Sequence, residues 1–407
     1  MEDLDTPPRH KPSKTLAGNI FDVLSGFGLA TTTLLLLGLL TWLATLEQID
    51  KGLYPTLNKY FHWKSVFLFP EINGKTIYFP LLSGYWVGAI LLVNLILGGV
   101  IRIRKGWGHA GNLVSHFGII FMLIGGGIAH HFSERGNMAV GEGESSNTAE
   151  DYFEYVVELA EIKENQPGAI TVIRGAQIDD LEPGKTRIFR LPSFPFDLEI
   201  GGYLINAAPV SANERAPDQQ QQKADGYYLM EKPAEVNAEA NTAACYARIL
   251  YRDGQKSAPF ILAGASFHPF SLKFEDRVFT LDMRKRLWPM PFTVKLDKFT
   301  ADFHPGTGVA SKFVSQVTRL ENGSEAKHTI QMNEPMRYEG LTFFQASYGP
   351  PGAGPKDKMY SVFEIVKNPA DHWPEYSLYI VAVGMLITFM QKLISHIAAA
   401  SRKKRHA

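Results

Sequence analysis

The chain holds one cysteine, Cys245, in 407 residues. A single cysteine excludes an intramolecular disulfide, a Cys-x-x-Cys redox pair and the Cys-x-x-Cys-His attachment site of a c-type haem. Free cysteine is among the most buried residue types, so Cys245 reads as a small core hydrophobe. Excess charge is lacking too. Lys plus Arg and Asp plus Glu number 41 each, which leaves no electrostatic footprint for nucleic acid. There is no nucleophile elbow, P-loop, His-Glu-x-x-His or Gly-x-Gly-x-x-Gly after a strand. Gly141-Glu142-Gly143-Glu144 precedes no helical pattern and is no phosphate loop.

What the chain does have is long runs without charge. Hydropathy averages near zero, but the average mixes four apolar stretches with one long polar segment. Residues 23–46 predict a first transmembrane helix, 76–101 a second, 106–132 a third and 375–397 a fourth. Residues 1–22, with three prolines and three basic residues, read as a disordered cytosolic tail. They are no cleavable signal, because the apolar run that follows is too long. Residues 47–75 read as an aromatic outer loop. The N-terminal tail, the 102–105 turn and the 398–407 tail are all basic. Short basic segments stay cytoplasmic, which puts both termini inside an inner (plasma) membrane.

Residues 133–372 contain no spanning segment and fall outside the membrane on this topology. Short runs such as FDLEIGGYLI and CYARILYRDG alternate apolar with polar residues, and Asp253-Gly254 and Asn322-Gly323 punctuate them. That is the pattern of antiparallel strands. The predicted fold class is therefore a four-helix membrane α domain with a large, mainly antiparallel β extracytoplasmic domain. Residues 211–226 (SANERAPDQQQQKADG) read as a mobile loop.

The third stretch carries four of the twelve histidines: His109, His116, His130 and His131. Ionisable groups inside a membrane mark functional sites by default. Spacings of 7 and 14 place His109, His116 and His130 near one helix face, with His131 rotated off it. At ~1.5 Å per residue, His116 and His130 are ~21 Å apart and cannot share one metal. Imidazole suits haem iron, and Gly125, Gly126 and Gly127 let a flat group or a helix come close. His116 lies at a depth where an unpaired imidazole is costly. The plainer readings are an interfacial anchor for His109 and a helix exit for His130 and His131. His396 is expected near the depth of His116, as a second ligand or an interface anchor. His62 and His372 flank helices beside Trp63 and Trp373.

The end of the outer region reads PFTVKLDKF, ASKFVS and MNEPMRYEGLTFFQASYG across 291–349. VKNPADHWP precedes the last helix and SHFG lies in the third. These phrases resemble the ResB-like family of cytochrome c biogenesis proteins (System II, the Ccs pathway). Asn333-Glu334-Pro335 and Tyr338-Glu339-Gly340 are turn chemistry, so the phrases read first as fold punctuation and second as a docking surface. The resemblance implies three helices, a large outer domain and a fourth helix. It also implies a CcsA-type membrane partner with a Trp-rich haem-handling segment, which the six scattered tryptophans of this chain do not form. Haem b in transit, apocytochrome c and thiol-reducing proteins complete the implied set. His116 matches the family's haem-ligating position in the third helix, with the second ligand from the partner; His130, His131 and His396 are weaker candidates.

The expected function is a non-catalytic or co-catalytic subunit of a haem lyase complex. One rival is a b-type electron-transfer subunit, which needs two bis-histidine sites although the first two helices hold no histidine. The other is a structural adaptor that binds no haem.

Overall fold

The computed structural model describes residues 15–72, 74–164, 166–213, 223–266, 268–305, 310–350 and 358–405. Most of the segment read as mobile (214–222) and the ends of both tails lie outside the described residues. The chain divides into a helical unit, Met1–Phe132 with Pro369–Ala407, and a β unit, Ser133–Asn368.

Four helices are long and apolar enough to cross a membrane: Phe27–Lys51, Gly84–Ile101, Trp107–Phe132 and Trp373–Arg402. Their boundaries depart from the sequence expectations for local reasons. Residues 16–22 are not tail but helix α1 (Leu16–Leu24), opened by Thr15, whose hydroxyl accepts from the Gly18 N–H. The first charge-free run breaks at Ser25-Gly26, and α2 runs from Phe27 to Lys51. The 47–75 loop contains helix α3 (Leu53–Phe61). The second span starts late. Residues 76–83 are not helical because Pro80 biases Phe79 towards extended backbone, and Leu81–Leu82 pairs with Phe67–Leu68. Helix α4 then runs Gly84–Asn94 and widens into a π turn, Leu95–Ile101. A 3-10 turn at Trp107–His109 leads into α5, Ala110–Phe132. The last helix, α6, runs Trp373–Arg405. The basic stretch from 398 therefore extends the helix instead of forming a tail; Lys and Arg are good helix formers.

Helices α5 and α6 pack antiparallel through small residues. A Cβ at Gly111 would lie 2.5 Å from the Thr388 backbone nitrogen, one at Gly118 3.0 Å from that of Val381, and one at Gly125 3.0 Å from the Trp373 Cβ. Gly384 returns the contact, within 2.5 Å of the Ser115 nitrogen. These glycines recur every seven residues, so one stripe of α5 lies against α6 along its length. Phe121 stacks on Trp373 at 4.6 Å.

The β unit is antiparallel, as expected. Its largest sheet centres on two long strands, Ser145–Lys163 and Arg277–Phe303, flanked by Ala310–Glu321 on one side and Glu134–Gly141 on the other. A second sheet of four strands contains Phe196–Leu204 and Ala244–Tyr251. Alternate residues from both sheets (Phe196, Leu198 and Ile200; Val157 and Leu159; Phe279 and Leu281) share one core, which is the sandwich packing the period-two pattern implies. Cys245 is wholly buried in this core. Asn322-Gly323 and Glu339-Gly340 both take positive φ and close hairpins.

Candidate functional site on the third span

Helix α5 spreads its histidines over distinct settings. His109 is exposed in the 3-10 turn. His116 projects onto the π turn of the second span. A Cβ at Gly99 would lie 2.9 Å from its Cγ and 3.1 Å from its Nδ1, so only glycine leaves room for the ring. Nδ1 is enclosed there and finds no hydrogen-bond partner among the described residues. Leaving a buried polar atom unpaired costs ~1–3 kcal/mol. The π turn is itself unusual, since such widenings concentrate at functional sites.

Polar ties hold this seat in place. Buried Asn94 donates to the carbonyls of Leu24 (2.7 Å) and Gly26 (3.0 Å), satisfying backbone freed by the α1–α2 break. Arg102 donates to Ser25 Oγ at 2.8 Å. A Cβ at Gly98 would meet the Ser25 carbonyl at 2.7 Å, so the broken helix presses directly on the turn that carries Gly99.

The opposite end of α5 is a cluster of rings. His130 lies 5.0 Å from His131, 5.9 Å from Tyr85 and 6.0 Å from His62 between ring centroids. The Tyr85 hydroxyl and His131 Nε2 share a hydrogen bond of 3.1 Å, and His62 Nδ1 accepts from the Lys64 N–H at 3.2 Å. Burial, then the charges of Lys64 and His131, hold His62 below the ordinary histidine pKa, so its ring is neutral near pH 7. The sequence singled out His130 and His131, but not Tyr85, and it placed His62 only as a flanking residue.

His396 does not join His116. Ser115 donates to the Val381 carbonyl, so His116 is level with that turn of α6. His396 is fifteen residues further along, roughly 22 Å of helix, and is exposed. The shared depth expected from hydropathy fails because α6 continues past the start of α5. His372 is 3.5 Å from Glu375, an exposed local pair.

A further group escaped the sequence reading. Glu47, 4% exposed near the end of α2, accepts from Lys59 (2.5 Å), the Tyr60 hydroxyl (2.8 Å) and the Glu71 N–H (3.0 Å). It ties α3 and the strand Glu71–Ile72 to α2. Its only sequence signal is the first acidic residue after a charge-free run. Among the described residues no three His, Cys, Asp or Glu side chains surround a common ion position. A bare cation needs three or four protein donors, whereas a tetrapyrrole iron needs one or two. The single imidazole of His116 fits the second case and not the first.

The ResB-like family model matches residues 103–167 and 254–362, which include α5 and the phrases between 291 and 349. The cytochrome c biogenesis protein CcsB of Crocosphaera subtropica is 33% identical over 79 residues, 19% of this chain and 17% of that protein. CcsB of Trichormus variabilis is 31% identical over 80 residues, 19% and 17% of the two chains. CcsB of a Synechococcus species is 35% identical over 69 residues, 17% and 16%. The matched segments thus span about a sixth of the relatives' length.

Proposed function

Taking the chain as a ResB-like membrane protein, we propose that it is the haem-holding subunit of a System II cytochrome c synthase complex. In this reading it takes haem b from the cytoplasmic side and relays it outward for attachment to apocytochrome c. The observation that carries the reading is His116: an imidazole seated on Gly99, with an enclosed Nδ1 that has no partner among the described residues. Bound there, haem would supply the iron centre and the vinyl groups that thioether attachment consumes.

The chain's own residues do the positioning. Gly99 and the π turn hold the ring, so its imidazole would be presented to a haem without a search among rotamers. Asn94 and Arg102 keep the turn against the α1–α2 break. The α5–α6 glycine stripe stops α5 from sliding. With His396 displaced, no second imidazole among the described residues reaches His116, which supports a ligand from a CcsA-type partner. The thioether step belongs to the complex; Cys245 is sealed in the β core with its thiol pushed up to about 12 by burial, so it is no thiol reductant.

The test is co-production of this chain with its CcsA-type partner and an apocytochrome c. His116→Gly should abolish covalent haem attachment, and added imidazole should restore part of it. Full maturation by His116→Gly without imidazole would sink the reading.

A further inference from the structure

The four-stranded sheet of the β unit turns one face to the core and the other away from it. Phe196, Leu198 and Ile200 point inward, so Glu199 and Gly201 lie on the outer face. Arg248 and Tyr246 stand directly opposite them on the neighbouring strand. A groove of about 440 Å³ lies over this face, a volume within the range of ligand sites. One wall is the segment 183–186 and the other is strand Tyr227–Glu231. The haem reading makes no use of this groove.

Its glycines have a local cause. A Cβ at Gly201 would lie 2.4 Å from the Lys185 carbonyl oxygen, and Gly202 takes a φ of +64° where the pairing with Ala244–Tyr251 shifts register. They let the wall at Lys185 close down on the floor. Its charges are not all spent. Lys185 pairs with Glu182 at 2.9 Å, and Lys256 with Glu199 at 3.5 Å. Arg248 is left over, although Glu199 is its cross-strand neighbour. The side chains of Arg248 on the floor and Glu231 on the wall make no ion pair or hydrogen bond among the described residues.

The wall also offers an open backbone edge. Strand Tyr227–Glu231 pairs only with Ala207–Ser211 among the described residues. Leu229 is opposite Pro209, which has no N–H, so the pairs that exchange hydrogen bonds are Ala208 with Met230 and Val210 with Tyr228. The backbone groups of Leu229 and Glu231 therefore point the other way. The Leu229 N–H shows the direction, because it donates to the hydroxyl of Tyr246 on the floor at 2.9 Å. That leaves the Leu229 C=O and the Glu231 N–H, an acceptor and a donor on one strand edge, with no partner among the described residues. The edge decides between ligands. A small zwitterion satisfies the two charges and leaves the edge bare. An extended peptide satisfies both at once, by adding a strand.

We propose that this groove docks an extended peptide segment of a partner protein, one with an acidic and a basic side chain two residues apart. Side chains at that spacing share one face of a strand. The acidic one meets Arg248, the basic one meets Glu231, and the peptide backbone pairs with the edge at Leu229 and Glu231. Tyr246 is a positioning residue, since its hydroxyl holds Leu229 over the floor. None of these contacts involves His116 or haem.

The test uses the full chain in nanodiscs and fluorescein-labelled peptides, read by fluorescence polarisation. The probes are Val-Glu-Thr-Lys-Val, its reverse Val-Lys-Thr-Glu-Val, and Val-Glu-Lys-Thr-Val, whose adjacent charges face opposite ways. Wild type should bind one of the first two at least tenfold tighter than the third. Arg248→Glu should weaken that binding about tenfold or more. The same variant should bind the peptide with Lys in place of Glu, which also shows that it is folded. N-methylation, scanned along the peptide, should cost about tenfold at alternate residues only, because a strand presents every second N–H to one edge. The inference is overturned if wild type binds none of the peptides or all three equally. It is also overturned if Arg248→Glu binds as wild type does, if no N-methyl group matters, or if free glutamate with lysine displaces the probe as well as unlabelled peptide does.

Discussion

At one end of α5 the backbone makes the site; at the other, side chains do. Among the described residues His116 has no aromatic ring pairing with its own. It is seated by Gly99, by a π turn and by a helix break whose carbonyls Asn94 satisfies. His130 stands among His62, Tyr85 and His131, on a surface that the backbone leaves open. The difference teaches that a histidine's depth says less than what surrounds its nitrogens. At His116 one nitrogen is enclosed without a partner. At His130 the partners are close, yet bond to one another or to backbone. In the proposed reading such a place is a single-imidazole position, not a two-imidazole centre.

The contrast can be broken from either side. The largest effect is expected from Glu47→Ala, which takes the carboxylate acceptor from the Tyr60 hydroxyl and the Glu71 N–H and leaves Lys59 with Glu71 alone, at 3.4 Å. A hydrogen bond to a charged group contributes ~1.5–3 kcal/mol, so chemical unfolding in detergent should shift markedly. Because Glu47 touches no histidine, haem bound by the surviving folded protein should be unchanged. Asn94→Leu should cost ~1–2 kcal/mol, the range for buried polar links between membrane helices. It should weaken haem binding in a His130→Ala background and not in a His116→Ala background. Equal weakening in both would erase the distinction between the two ends. Tyr85→Phe removes one hydrogen bond and should cost only ~0.6 kcal/mol, with the His131 ring signal in nuclear magnetic resonance as its readout.

The smallest effect separates the β unit from the helices. His328 has an enclosed Nε2 with no partner among the described residues, and burial, then Arg319, lowers its pKa. A lowered histidine pKa means that the unfolded chain takes up a proton first. Stability conferred by the neutral ring is therefore full above the ordinary value of about 6.5 and falls as pH drops from there towards the folded pKa. Cys245 reports this selectively, since its buried thiol is alkylated only when the β unit opens. Alkylation should accelerate between pH 6.5 and 5, after correction for thiolate fraction, and His328→Gln should flatten the trend. Identical profiles for both proteins would remove His328 from the account.

Much of the architecture was legible because hydropathy and alternation report solvent and pleat directly. The four charge-free runs, the period-two residues 196, 198 and 200, and Asn322-Gly323 all correspond to observed elements. The phrases at 291–349 fall within the family match. What escaped were features set by distant neighbours. The break at Ser25-Gly26 is held by Asn94 about seventy residues away, and no run of apolar residues encodes that. The π turn needs Gly98 and Gly99 against Ser25 and His116, a three-element contact. His62 reaches His130 across a whole span, so its spacing carried no signal. His396 misled because depth counted from charge-free runs ignores how far α6 extends beyond its partner.

The most direct measurement is the Soret absorption of two purified variants at equal protein concentration and saturating haemin: His130→Ala, and His130→Ala combined with His116→Ala. The account predicts a clear band in the first and a loss of about tenfold or more in the second. Equal bands in the two would show that His116 does not hold the iron, and would contradict the central claim.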